Sequence, residues 1–312
     1  QRLLTYSEPQ GEYDLRCALA DYVRERRNVV TAPEHIVVGA GVQMLLEILC
    51  VLLKGRRTVS FPDGSFVQGS TVFAAHGYTV RTRYKDADII YVSPSHMNRQ
   101  GDVMPIQRRL ELCAHSADTG AVVIEDDFEN DFLYSSTPTP SLYALGSGNV
   151  VYMGAFSALL LPGIRISFMV LSSALAAAYH QMKDTFAQTA SKTEQIALCA
   201  YLRDGNMKSR TKKIRRLYTG KAKTLCTLLA KALPDHPVRV GENGLQVQIE
   251  TPMLPDSAPF EQAGLALYIV KEKSGKNIVV VSPSAVPADR LEEAAHAVAA
   301  ALYKAEEAAK AK

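Results

Sequence analysis

Four short runs carry side chains that can do chemistry, and each follows an apolar stretch. Gly39-Ala40-Gly41 separates Ile36-Val37-Val38 from the apolar run Val42 to Leu53. Glycines at a strand-to-helix junction can turn backbone N–H groups toward a phosphate, although a tight turn uses the same residues. Asn98 follows Ile89-Ile90-Tyr91-Val92 and Ser93-Pro94-Ser95; it can bond a ligand oxygen or simply shape a turn. Asp126 stands in Glu125-Asp126-Asp127 after Ala121-Val122-Val123-Ile124. Its carboxylate can pair with a protonated heterocycle or a metal, or it can be a solvated capping acid. Ser157 and Arg165 flank Leu159-Leu160-Leu161-Pro162. An arginine there can grip a phosphate bidentately, or it can be a surface residue at a strand start.

The elements that must position these groups alternate along the chain. Apolar strands at 35–38, 57–61, 89–92, 121–124, 149–153 and 165–171 are separated by helical stretches at 12–26, 42–53, 66–76 and 106–116. Nearly continuous apolar strands between helices predict an α/β fold, a mostly parallel sheet with helices on both faces. In such a sheet, polar groups just past the strand C-termini form the ligand crevice. From Ala174 onward the pattern shifts to long helices at 174–202 and 208–233. Short strands at 237–240, 245–249 and 278–281 follow, and then a helix at 289–308. This predicts a large domain over 1–207 and a smaller C-terminal α+β domain over 208–312.

Composition sets outer limits. With 35 Lys and Arg against 32 Asp and Glu, the net charge of +3 excludes a polyanion-binding character for the chain as a whole. The basic run from Lys208 to Lys223 reads as a solvated helix face, because it lacks interleaved aromatics. Five scattered cysteines without a C-x-x-C pair, and dispersed histidines, predict neither a disulfide framework nor a metal site. No apolar run reaches 18 residues and the N-terminus has no signal core, so a cytoplasmic location and no membrane partner are expected. The chain starts without Met.

Taken in order, these runs resemble a known family. They read G-x-Q after the first strand, an aromatic after the second, S-P-S-H-x-N-x-x-G, E-D-D-x-E, and G-x-F-S-x-x-L-x-P-x-x-R. This is similar to the fold-type I pyridoxal-phosphate-dependent aminotransferases, and most so to the aminotransferase-like domain of MocR/GntR-type transcriptional regulators. Tyr6 to Arg16 resembles the family's opening Y-x-x-P-x-G-x-x-x-L-R, and Thr193-Glu194-Gln195 and Ile214 to Tyr218 also fit. The resemblance implies that Gly41, Val42 and Gln43 cradle the phosphate of pyridoxal 5′-phosphate. Phe66 would stack on the pyridine ring and Asn98 would hold its O3′. Asp126 would keep the ring nitrogen protonated, and Ser157 and Arg165 would bind the phosphate.

Several positions depart from the family pattern. Gly154-Ala155-Phe156-Ser157-Ala158 stands where the family has G-T-F-S-K, so the Schiff-base lysine position is Ala158. Phe128 replaces the usual tyrosine donor to O3′, and Phe66 also replaces a usual tyrosine. Val280 falls where the family places the arginine that clamps the substrate carboxylate. The segment between Tyr78 and Ile89 is short for a strand–helix connection. No catalytic residue is therefore intact. The sequence reads as the effector-binding and dimerisation domain of a MocR-type regulator, with pyridoxal 5′-phosphate bound non-covalently or not at all. The other reading is a class I/II-like aminotransferase carrying an engineered lysine-to-alanine change at 158. The resemblance also implies a homodimer and an amino-acid or pyridoxal-type ligand. DNA would be reached only through an N-terminal winged-helix domain outside this chain.

Overall fold

The first helix, α1 (Tyr13–Arg27), buries Leu15, Ala18, Leu19 and Val23, one apolar stripe at helical spacing. It ends where Asn28 adopts a left-handed conformation and its N–H donates to the carbonyl of Arg24. These elements belong to a computed structural model that describes residues 2–98, 100–127, 140–146, 148–157, 159–160, 162–271 and 275–310. The described residues divide into two compact units. One holds residues up to 97, 104–127 and the described part of 140–210; the other holds 98–103 and the described part of 211–310.

In the first unit, β1 (Ile36–Gly39) leads to α2 (Val42–Leu52), and β2 (Thr58–Phe61) to α3 (Val67–Ala75). Then come β3 (Thr79–Thr82), β4 (Ile89–Val92), α4 (Ile106–Thr119) and β5 (Val122–Asp126). These are followed by the short α5 (Leu142–Leu145), β6 (Val150–Ala155), β7 (Ser167–Val170), α6 (Ser173–Met182) and α7 (Lys192–Arg203). Seven of the described strands make one sheet in the order β1-β7-β6-β5-β4-β2-β3. The neighbours from β6 to β3 pair in parallel, while β7 runs antiparallel to both β6 and β1. The sheet is thus mostly parallel, with one reversed strand.

Strands β1 and β6, and β5 up to Ile124, read apolar because both sheet faces are covered. Val122, Ile124, Val151 and Met153 pack with Leu45, Leu49 and Phe73 on one side, while Val123 and Val150 pack with Cys113 and Leu142 on the other. Two differences from the periodicity stand out. Strand β3 lies in a segment read as merely short; it is an exposed edge strand with the sequence Thr-Val-Arg-Thr, too polar to announce itself. The helix expected over 174–202 is broken after Met182, and a 3₁₀ turn follows at Lys183–Thr185. Past that break the Gln188 amide donates to the carbonyls of Pro9 and Val38, holding the chain extended before α7.

The second unit receives most of α8 (Asn206–Ala232), a continuous 27-residue helix. It adds β8 (Val238–Val240), β9 (Val247–Thr251), α9 (Ala258–Gln262), β10 (Tyr268–Lys271), β11 (Asn277–Val281) and α10 (Leu291–Lys310). Its four described strands form an antiparallel sheet, β10-β11-β9-β8. Leu225, Leu229, Val247, Val279, Val298 and Leu302 form its core. Of the basic run on α8, Lys221 donates to the carbonyls of Ser284 and Val286, while Lys212, Lys213 and Arg216 are exposed. No described helix is long and apolar enough to cross a membrane.

Candidate functional site

Strand register brings three of the singled-out residues to one end of the sheet. Gly39 of β1 pairs with Ser167 of β7, and Ser167 pairs with Ala155 of β6. Two residues beyond those pairings come Gly41, Arg165 and Ser157, all past the carboxyl edge of the parallel strands. Gly41 has φ +95 and precedes α2, so free N–H groups of the helix start lie here. The Arg165 guanidinium lies against it: a Cβ on Gly41 would sit 2.5 Å from Nη2. Arg165 itself adopts a left-handed φ of 48, a strained setting for a non-glycine residue. The Ala40 N–H donates to Thr189 Oγ1 at 2.9 Å, which fixes the turn from behind. Val42 is half-buried and Gln43 is exposed. Ser157 is half-buried just past the β6 end.

Asp126 closes β5 next door, paired with Met153 of β6. Alternation along β5 sends its side chain to the face of Ile124, away from Glu125 and Asp127. The Tyr91 hydroxyl donates to Asp126 Oδ2. Burial pushes the carboxyl up to about 6; the Tyr91 bond and the charge of His96 work the other way, and Asp127 adds to the rise. Phe66 is half-buried with its ring centroid 5.3 Å from Tyr91, which in turn lies 5.0 Å from Phe61. Gly69 permits this, because a Cβ there would meet the Phe66 ring at 2.2 Å.

Asn98 behaves differently. It belongs to the second unit, and its amide closes its own turn: Nδ2 donates to Asp102 at 2.8 Å, and Oδ1 accepts from the N–H groups of Gln100 and Asp102. Phe128 and Ala158 lie outside the described residues. Val280 is 1% exposed in β11, opposite Gln248 and Tyr268. Among the described residues no cluster of His, Cys, Asp and Glu could hold a metal ion.

On the other sheet face, Glu125 and Asp127 meet Arg27 from the end of α1. Arg27 Nε lies 2.7 Å from Asp127 Oδ2, Nη2 is 3.2 Å from Oδ1, and Nη2 is 3.8 Å from Glu125 Oε1. The Tyr152 hydroxyl and Ser95 also donate to Asp127. Burial works against the Arg27 charge, but Asp127, Tyr152 and Glu125 outweigh it and hold the guanidinium protonated. Burial, with Asp127 behind it, pushes the Glu125 carboxyl up to about 7. Tyr91, Thr189 and this cluster escaped the sequence reading. Only the strict alternation of E-D-D along a strand signals that its acids serve opposite faces.

Chemically, the carboxyl edge offers an anion cradle at Gly41 and Arg165. At the same edge of the sheet, on β5, stands a carboxyl able to hold a protonated ring nitrogen, which fits a phosphate-bearing heterocycle. If so, Gly41→Ala fills the cradle and imposes an unfavourable φ. The expected result is about tenfold weaker binding of pyridoxal 5′-phosphate by titration; unchanged affinity would place the phosphate elsewhere.

Comparisons agree with the architecture. The family profile for aminotransferase class I and II matches residues 1–286. The chain is 30% identical over 288 residues to the uncharacterized HTH-type transcriptional regulator YdeL of Bacillus subtilis, covering 88% of this chain and 60% of that protein. It is 28% identical over 253 residues to the HTH-type pyridoxine biosynthesis transcriptional regulator PdxR of Corynebacterium glutamicum, covering 77% of this chain and 56% of that protein. The chain thus spans little more than half the length of these relatives. Among solved structures, an archaeal alanine:glyoxylate aminotransferase superposes with a TM-score of 0.83 at 20% identity, over 97% of this chain and 83% of that one. At that identity the likeness speaks for the fold alone.

Proposed function

The chain belongs to the aminotransferase class I and II family, and from that premise we propose that it is the effector-binding and dimerisation domain of a MocR-type transcriptional regulator, without transaminase activity. The HTH-type regulators among its relatives, each longer than this chain, support that reading. The observation that supports it is that Gly41, Arg165 and Asp126 lie at the same edge of the sheet, in a chain that reads Ala158 where the resemblance implies the Schiff-base lysine.

On this reading Gly41, Val42, Gln43, Ser157 and Arg165 would hold the phosphate of pyridoxal 5′-phosphate. Asp126 would keep its ring nitrogen protonated, and Phe66 and Phe128 would line the ring. The role that the resemblance implies for Asn98 is not carried over, because in its own unit its amide closes a turn. When bound, the group supplies an electron-accepting ring. Without an amine at 158, the chain's own residues bind and orient the group but provide no anchor and no base to move a substrate proton. Binding would then bias a conformational equilibrium of a homodimer rather than drive turnover. DNA contact would come from an N-terminal winged-helix domain outside this chain, and the location would be cytoplasmic. The ligand is an amino-acid or pyridoxal-type small molecule.

The test is Ala158→Lys, assayed with pyridoxal 5′-phosphate and a panel of amino-acid donors. Restoring the amine leaves Val280, buried in β11, where a carboxylate clamp is needed. A missing clamp costs about 100-fold or more in positioning, so turnover is expected to stay near background. Robust turnover would overturn the reading in favour of an aminotransferase with a substituted lysine.

A further inference from the structure

The reversed strand β7 has a consequence at the other end of the sheet. In a parallel sheet the helices that follow strands start at the carboxyl edge, as α2 and α3 do. Because β7 runs the other way, the chain leaves it at the amino edge, and α6 starts there. A cleft of about 290 Å³ opens at this place. Lys54, Arg56, Asn149, Ser172, Val122 and Leu175 help to line it, and none of its lining residues is acidic. Val122 begins β5 and Asp126 ends it, so four residues, about 13 Å of strand, separate this cleft from the site described above.

Ser172 is the residue before α6, yet its side chain makes no capping hydrogen bond, although the residue is only 8% exposed. Ser172 lines the cleft, and its hydroxyl, with no cap bond of its own, stands beside the first N–H groups of a ten-residue helix, a donor set that suits an acceptor. Lys54 makes no ion pair among the described residues. Arg56 feels the charge of Asp88, whose Oδ2 already accepts from the N–H groups of Arg57 and Thr58 and from the Thr58 hydroxyl. Two cations, a helix start and a hydroxyl together suit a dianion better than a singly charged carboxylate. The volume is many times what a single water needs, and larger than a bare phosphate needs. Val122 and Leu175 supply an apolar wall for the remainder.

We propose that this cleft is a second ligand site, which binds a phosphate-bearing small molecule with an apolar body. The probe is phenyl phosphate, titrated calorimetrically into the whole chain, with benzoate and inorganic phosphate in parallel. Saturable binding of phenyl phosphate at about 1 mM or tighter is expected, stronger than that of either comparison compound. Lys54→Ala with Arg56→Ala should raise Kd about 30-fold, and Ser172→Ala several-fold. Arg165→Ala, which strips the other site, should change it little. Both cations lie at the surface, and an unchanged melting temperature confirms that the double variant folds. The proposal is overturned if no saturable binding occurs, if benzoate binds as tightly, or if Arg165→Ala abolishes binding while the double variant keeps it. That last outcome would locate phenyl phosphate in the first site.

Discussion

Asp126→Asn is expected to weaken pyridoxal 5′-phosphate binding by about 30- to 100-fold, the loss of one charge-assisted hydrogen bond in a sheltered place. Asparagine keeps the shape and the Tyr91 contact but cannot balance a protonated ring nitrogen. The pH dependence sharpens the expectation. With its carboxyl raised to about 6 by burial, Asp126 in the free chain takes up a proton as pH falls through 6. A ring that needs the ionised carboxylate must expel that proton, so affinity should fall below pH 6, by at most about tenfold per unit. The sign for stability is the opposite. A raised folded value means a contribution present below the unfolded value and lost as pH rises through 6. The ligand should therefore protect the fold more above pH 6 than below it. Thermal unfolding with and without ligand across pH 5 to 8 reads both effects at once. An Asn variant that binds as well as the parent chain would remove Asp126 from the site.

Arg27→Ala is expected to cost about 3–5 kcal/mol of folding stability, the penalty for leaving buried carboxylates without their cation. Asp127 loses two hydrogen bonds and Glu125 loses its only ion pair among the described residues. Arg27→Met, which keeps most of the buried stem, should lose nearly as much if charge rather than packing dominates. Acid should narrow the deficit, because protonating Glu125, whose carboxyl is raised to about 7, removes one of the orphaned charges. In the parent chain Glu125 acts in the usual direction for a raised carboxyl: its share of stability is present in acid and is lost as pH rises through about 7. Chemical denaturation at pH 5 and pH 8 measures all of this. A deficit under about 1 kcal/mol would mean the cluster behaves as an exposed ion pair does.

What was readable in the sequence follows from periodicity. The strand ends carrying Gly41, Asp126 and Ser157 stood out because fully covered strands are unbroken apolar runs. The family's opening run and Gln195 meet in the fold, which neither run announces by itself: the Glu12 N–H donates to Gln195 Oε1, and Gly11 packs so tightly on Val38 that a Cβ would lie 2.7 Å away. The sequence singles out no role for Arg27, since nothing local says that two acids about 100 residues later fold over it. Tyr91 and Thr189 were equally silent, because a hydroxyl gains a role only when the fold brings its partner. The reversal of β7 has no local signature either, yet it decides which edge receives the start of α6.

The central claim is that this chain retains a pyridoxal 5′-phosphate site but has lost the means to anchor it. Incubating the chain with stoichiometric pyridoxal 5′-phosphate, reducing with borohydride and weighing the intact protein tests it directly. The expected result is saturable binding before reduction and an unmodified mass after reduction and dialysis. A single stoichiometric adduct at one lysine, abolished together with binding by Asp126→Asn, would contradict it.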